Sequence, residues 1–159
     1  MTTSIEWRTC AFGELSPHDV HDVLRLRQDV FIVEQNCVFR EIDGRDPLAL
    51  HVLGRRGGRL VAYARVFPPG VVGAEASIGR VLTEASARGA GLGRAVVAEA
   101  MRVAERIAPG TAIRLAAQVH LERFYESFGF RGIGEKYVDD GIVHLDMVRA
   151  AGAEPRVTG

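Results

Sequence analysis

The clearest chemical pattern in the chain is Arg88-Gly89-Ala90-Gly91-Leu92-Gly93-Arg94, three alternate glycines ahead of a long apolar stripe. Ala76 to Leu82 reads as a strand before it and Leu92 to Ala108 as a helix after it. The first N–H groups of a helix have no internal partner and carry the positive end of its dipole. Glycines let a backbone approach an anion closely and take left-handed angles. Together these make a cradle for a phosphate or pyrophosphate. A helix-start turn without a ligand is the plain alternative. The spacing weakens one neighbouring chemistry and rules out another. A dinucleotide fingerprint needs GxGxxG and an acid about 20 residues on, but position 94 is Arg and Ile113-Arg114-Leu115 stands downstream. A GxxxxGK[ST] loop is impossible, because Lys136, the only Lys, lies between Glu135 and Tyr137.

Other reactive patterns are absent. Cys10 and Cys37 form no CxxC or zinc spacing, so no metal site is expected and both read as idle thiols sooner than nucleophiles. There is no GxSxG elbow. A lysine Schiff base could only involve Lys136.

A chain of 159 residues is about one domain. With 47% hydrophobic and 25% charged residues it is ordinary for a globular protein. Lys+Arg and Asp+Glu are 20 each, so no basic surplus points to nucleic acid. Nothing approaches the ~20 apolar residues of a membrane span, and the N-terminus lacks a secretory apolar run. The expected compartment is the cytoplasm, with reduced thiols.

The elements that must position the glycine loop follow from periodicity and turn chemistry. Ile5 to Phe12 reads as a strand. Ser16-Pro17 opens a helix ending near Glu34-Gln35, with Val20, Val23, Leu24, Val30 and Phe31 along one stripe. Residues 36–47 read as loop with a short helical turn. Leu48 to Leu53 and Leu60 to Phe67 form a hairpin around Arg55–Arg59. After the long helix come a strand at Thr111 to Ala117 and a short helix at His120 to Phe128, stopped by Gly129. A last hairpin pairs Glu135–Val138 with Ile142–Val148 across Asp140-Gly141. The expectation is one mixed α/β domain over residues 1–150, with a frayed tail at 151–159.

At this point the chain resembles a known family. Arg-Gly-x-Gly-Leu-Gly after a strand is similar to the acyl-CoA pyrophosphate motif of the GCN5-related N-acetyltransferases (GNAT). Phe124-Tyr125-Glu126-Ser127-Phe128-Gly129-Phe130 resembles that family's second motif. The match is closer to the ElaA-like branch. It is carried by Phe31 to Cys37, Glu41-Ile42-Asp43-Gly44, Ile78-Gly79-Arg80-Val81, Ala117-Gln118-Val119-His120 and Asp140 to His144. Val143 departs from it, where Pro is expected.

The resemblance covers residues 5–149. It implies an α+β fold, a twisted, mixed, mostly antiparallel sheet flanked by helices. The strands Ala76–Leu82 and Thr111–Ala117 would splay around the pantetheine arm of acetyl-CoA. Backbone groups of Val81, Leu82 and Thr83 would bind that arm. The amides of Arg88, Gly89, Ala90, Gly91, Leu92, Gly93 and Arg94 would bind the pyrophosphate, and Gln118 and His120 would lie close by. The implied reaction is direct acetyl transfer to a primary amine in a ternary complex.

Such a transfer needs an amine stripped of its proton, a stabilised carbonyl oxygen and a departing thiolate. A backbone N–H near Val81 could hold the oxygen. Tyr125 could serve the leaving sulfur by a hydrogen bond, or could merely pack between Phe124 and Phe128. His144 is the first candidate base, with His51, Glu135, Glu75 or a water relay as alternatives. Glu34, Glu41, Asp43, Asp46, Asp139 and Asp140 form an expected acidic rim for a cationic small-molecule or peptide amine, or simply a solvated loop. Homodimers are common in relatives. Leu24 to Phe31, with Glu41 and Asp43, also resembles acyl-homoserine-lactone synthases, although those generally lack the glycine loop. A non-enzymatic acyl-CoA-binding module is the remaining alternative.

Overall fold

The computed structural model describes residues 4–153. Seven strands form one sheet: β1 (Glu6–Ala11), β2 (Leu50–Arg56), β3 (Arg59–Phe67), β4 (Ala76–Thr83), β5 (Ile113–Gln118), β6 (Arg131–Asp139) and β7 (Ile142–Arg149). Their order is β1-β2-β3-β4-β5-β7-β6. Every neighbouring pair is antiparallel except β4 and β5, which are parallel.

Helix α1 (Pro17–Arg27) starts at a reciprocal cap. Ser16 Oγ accepts from the Asp19 amide at 3.0 Å, and Asp19 Oδ2 accepts from the Ser16 amide at 3.0 Å. Asp19 also takes Arg8 from β1 and Arg55 from β2, both at 2.9 Å, so one carboxylate ties the helix start to the sheet. The helix then widens into a π-helical segment, Gln28–Glu34, ending in Gln35 N→Val30 O at 3.3 Å and Cys37 N→Ile32 O at 3.1 Å. The expected span is therefore filled, but in a wider winding of the kind found at functional sites.

Helix α2 (Leu92–Ile107) crosses from β4 to β5 and packs on β2, β3 and β4. Its stripe of Val96, Val97, Ala100, Val103 and Ala104 is buried against Val52, Ala62, Ala64 and Val66. The alternate strand residues Leu53 and Tyr63 point to the other face and meet Val23, Leu26 and Val30 below α1. Each fully buried Val or Leu contributes about 1.5–3 kcal/mol relative to exposure. A short helix α3 (Glu122–Glu126) follows β5.

Several boundaries differ from the sequence expectation. Phe12 leaves β1 for a 3-10 turn, and Leu48 belongs to the Asp46–Leu48 turn ahead of β2, with 57% of its surface exposed. β6 begins at Arg131, four residues before the expected start, because Gly134 at φ +70 lets the strand bulge and continue. The tail is not frayed at its start. Ala153 N bonds Ala150 O at 3.0 Å, and Arg149 Nη2 holds the Ala153 carbonyl at 2.7 Å. Residues 154–159 of the expected tail lie outside the described residues. Among the described residues no helix is long and apolar enough to cross a membrane.

Candidate active site

β4 and β5 pair only at Ala76↔Ile113 and Ser77↔Arg114, then diverge. The divergence coincides with a bulge in β4. Tyr63 faces Leu82 and Arg65 faces Gly79, so Arg80 and Val81 fall between paired positions. Arg80 sits at φ +50, which non-glycine residues seldom adopt. Between the splayed strands lies a cavity of about 560 Å³, walled by Ile78–Thr83, Leu115–Gln118, α3 and the π segment. Its size fits an extended small ligand.

One end of the cavity reaches Arg88 and Gly93 at the glycine loop. Gly89 and Gly91 hold φ +102 and +75, where a Cβ would be strained although neither would touch anything within 4 Å. No side chain caps α2. Its first backbone bond is Ala95 N→Gly91 O at 3.0 Å, and the amides from Gly89 to Arg94 take no backbone partner among the described residues. Unpaired amides at the positive end of a sixteen-residue helix are able to hold an anion. The residues therefore fit the pyrophosphate of an acyl-CoA.

The individual loop residues divide. Arg88 N is already bonded to Ala85 O at 3.4 Å, so this amide drops out of the cradle. Its guanidinium holds both oxygens of Glu34 and the Thr83 carbonyl, the latter at 2.9 Å. The hydrogen bond from Arg88 keeps the Glu34 carboxyl below its ordinary range. The Leu92 side chain is buried in the core, leaving only its backbone for a ligand. Arg94 lies over the Phe128 ring at 4.4 Å and bonds Ser127 Oγ at 2.9 Å. Gln118 and His120 line the cavity, with Gln118 Nε2 donating to Gln35 Oε1 at 3.3 Å.

Tyr125 lies on the cavity wall between Phe124 and Phe130, with edge-on ring centroids at 5.1 and 6.1 Å. Burial pushes its phenol up to about 12, so it is a proton holder at any ordinary pH. His144 lines the cavity from β7, stacked on Tyr137 at 5.9 Å. Its Nδ1 lies 2.8 Å from the Ile142 carbonyl, which can only accept. Nδ1 therefore carries a proton, and in the neutral ring Nε2 is the nitrogen left with a lone pair. The alternatives fare differently. Both ring nitrogens of His51 are engaged, by Tyr63 Oη at 2.6 Å and Asp46 O at 2.9 Å. Glu135 and Glu75 are not on the cavity wall.

The expected acidic rim is corrected at three of its residues. Glu41 is buried at 7% exposure, with Oε1 shared by Arg27 Nε at 2.6 Å and Arg80 Nε at 3.0 Å. Asp43 is gripped by both Nη atoms of Arg65, and Asp46 by Arg27 at 2.7 Å and Arg65 at 2.9 Å. Burial alone would raise the Asp43 and Asp46 carboxyls, but the arginines hold Asp43 well below its usual range and lower Asp46 as well. These acids neutralise arginines and do not line the cavity. Glu34, Asp139 and Asp140 do line it. Cys37, expected to be idle, also lies on the wall and donates its thiol to the Asp140 carbonyl at 3.2 Å, joining the loop to the β6–β7 turn.

Known proteins resemble this chain in sequence and fold. Residues 23–151 match the family model described as "Acetyltransferase (GNAT) domain". The chain belongs to the GNAT superfamily, whose members are acyl-CoA-dependent acyltransferases. A UPF0039 protein of Synechocystis sp. is 41% identical over 91% of this chain and 94% of its own. Protein ElaA of Escherichia coli is 38% identical over 91% and 96%, and its crystal structure superposes with a TM-score of 0.85. The crystal structure of an acyl-CoA N-acyltransferase from Pseudomonas aeruginosa reaches 0.88 at 36% identity, covering 92% of this chain and 100% of that one. Within the superfamily, this chain falls in the ElaA-like branch.

Proposed function

We propose that this protein transfers an acetyl group from acetyl-CoA to a primary amine by direct attack in a ternary complex. The observation that carries the reading is one continuous cavity running from Gly93, at the unpaired start of α2, to Tyr125 and His144 through the gap between β4 and β5. Acetyl-CoA supplies an acyl group already activated as a thioester. The amides from Gly89 to Arg94 bind its pyrophosphate, and the backbone of Val81, Leu82 and Thr83 with Gln118 and His120 receives the pantetheine arm. The unpaired backbone at the β4 bulge near Val81 directs an N–H at the developing oxyanion. His144 Nε2 accepts the amine proton. Tyr125 donates a hydrogen bond to the departing sulfur. Full proton transfer from a phenol at about 12 to a thiolate near 8.5 would be uphill by several kcal/mol, so Tyr125 stabilises the leaving group and keeps its proton.

Calorimetric titration with acetyl-CoA and with CoA tests the cofactor half. Saturable binding of both, lost in Gly91→Asp, supports it, and no binding to either contradicts it. A non-enzymatic acyl-CoA module would bind in the same way and release no thiol with any amine.

A further inference from the structure

We propose that Arg80 selects acceptors that carry a carboxylate beside the amine, so that the substrate class is amino acids and not simple amines. This rests on the acetyltransferase reading above and names what its acceptor end recognises.

Three arginines share the three carboxylates Glu41, Asp43 and Asp46, but they are not equivalent. The Arg27 and Arg65 side chains are 0% and 5% exposed and form no part of the cavity wall. Arg80 is 22% exposed and lines the cavity. Its Nε and Nη2 are fixed by Glu41, at 3.0 Å to the carboxylate and 2.9 Å to the main-chain carbonyl. Nη1 takes no hydrogen-bond partner among the described residues. The guanidinium also lies near the Phe31 and Phe39 rings, at 6.0 and 5.5 Å, which fixes its plane without using its donors.

The backbone supports the same reading. Arg80 holds the bulge of the catalytic strand at φ +50 beside Gly79, a residue that would adopt that angle without strain. A charged side chain in this conformation, in a strand otherwise written Ala-Ser-Ile-Gly-x-Val-Leu-Thr, presents a preorganised cation to the cavity. The cavity also carries Asp139, Asp140 and the free His144 Nε2. Groups of both signs in one cavity match a zwitterion: a carboxylate toward Arg80 and an ammonium toward the β6–β7 turn. Glu41, and Asp43 Oδ2 at 3.5 Å from Nη2, offset much of the Arg80 charge but leave Nη1 as a donor for a carboxylate oxygen.

The test compares matched pairs, each an amino acid and its carboxamide, by the rate of thiol release from acetyl-CoA. Comparing wild type with Arg80→Gln cancels the intrinsic difference between the two amines. The expected result is that the acid-to-amide ratio of kcat/KM falls by about tenfold or more in Arg80→Gln, mostly through KM, the scale of one charge-assisted hydrogen bond. Arg80→Lys restores part of the ratio, and acetyl-CoA affinity stays within about twofold. Wild-type enzyme offers a readout that needs no variant. Carboxylic acids without an amine should compete with the acceptor, and their amides should not. An unchanged ratio, loss of acetyl-CoA affinity in Arg80→Gln, or turnover of simple amines with none of amino acids overturns the assignment while leaving the acetyltransferase reading in place. No thiol release with any amine overturns both.

Discussion

Arg80 on β4 and Arg27 on α1 bond the same oxygen of Glu41, at 3.0 and 2.6 Å, thirty-nine and fourteen residues away in sequence. One carboxylate thus fixes the 36–47 loop to both α1 and β4. Glu41→Ala leaves Arg27, fully buried, short of a charge partner. The expected loss is about 3–5 kcal/mol, as for a broken buried pair, read as the midpoint shift in urea unfolding. A change under about 0.5 kcal/mol, typical of an exposed surface site, would show that the network is dispensable.

Asp19 predicts a pH dependence of stability. Burial would raise its carboxyl, but the Ser16 amide, Arg8 and Arg55 together hold it at about 2, against ~3.9 unfolded. The folded value is depressed, so the stabilisation is present above about pH 4 and is lost as pH falls through 2. Its size is about 2–3 kcal/mol. Asp19→Asn should be less stable than wild type by about that amount at pH 7, with the difference closing toward pH 2. A difference that stays constant over that range would contradict the account.

Gly91 separates charge from strain at the anion cradle. Asp and Asn strain a φ of +75 about equally, and neither Cβ meets a neighbour within 4 Å. Asn tolerates the left-handed region better than most residues. Gly91→Asp should abolish acetyl-CoA binding in calorimetry, and Gly91→Asn should weaken it by about tenfold. Equal losses would mean that backbone shape, not phosphate charge, sets the affinity.

Tyr125 and His144 make separable kinetic predictions. Tyr125→Phe should lower kcat by about 10²-fold with acetyl-CoA affinity retained. Because burial holds the phenol up to about 12, Tyr125 should cause no alkaline fall in wild-type rate below about pH 11. His144→Gln should also cost about 10²-fold at pH 7. That deficit should shrink as pH approaches ~10, where a lysine-type amine loses its own proton. A deficit independent of pH would remove His144 from the role of base.

The glycine loop and its flanking elements were legible in the sequence because their signals are local. Alternate glycines, a preceding strand and a following helix lie within about twenty residues, and each leaves its mark in residue type. The acceptor end was not legible to the same degree. Glu41 and Asp43 read as free acids because their partners Arg27, Arg65 and Arg80 come from three separate elements. Nothing in local spacing reports a pairing across the sheet. Arg80 itself left a faint signal, a lone charge in an apolar strand. Strand ends failed for a similar reason. Leu48 is apolar but exposed, and β6 runs on through Gly134 where turn chemistry suggested a later start.

The most direct test of acetyl transfer is simultaneous measurement of free thiol and acetylated amine when the purified protein meets acetyl-CoA and a panel of primary amines. The account predicts one thiol released per amine acetylated, above the spontaneous rate, and a large loss of both in Tyr125→Phe. Saturable acetyl-CoA binding with no thiol released by any amine would contradict it and leave a binding module.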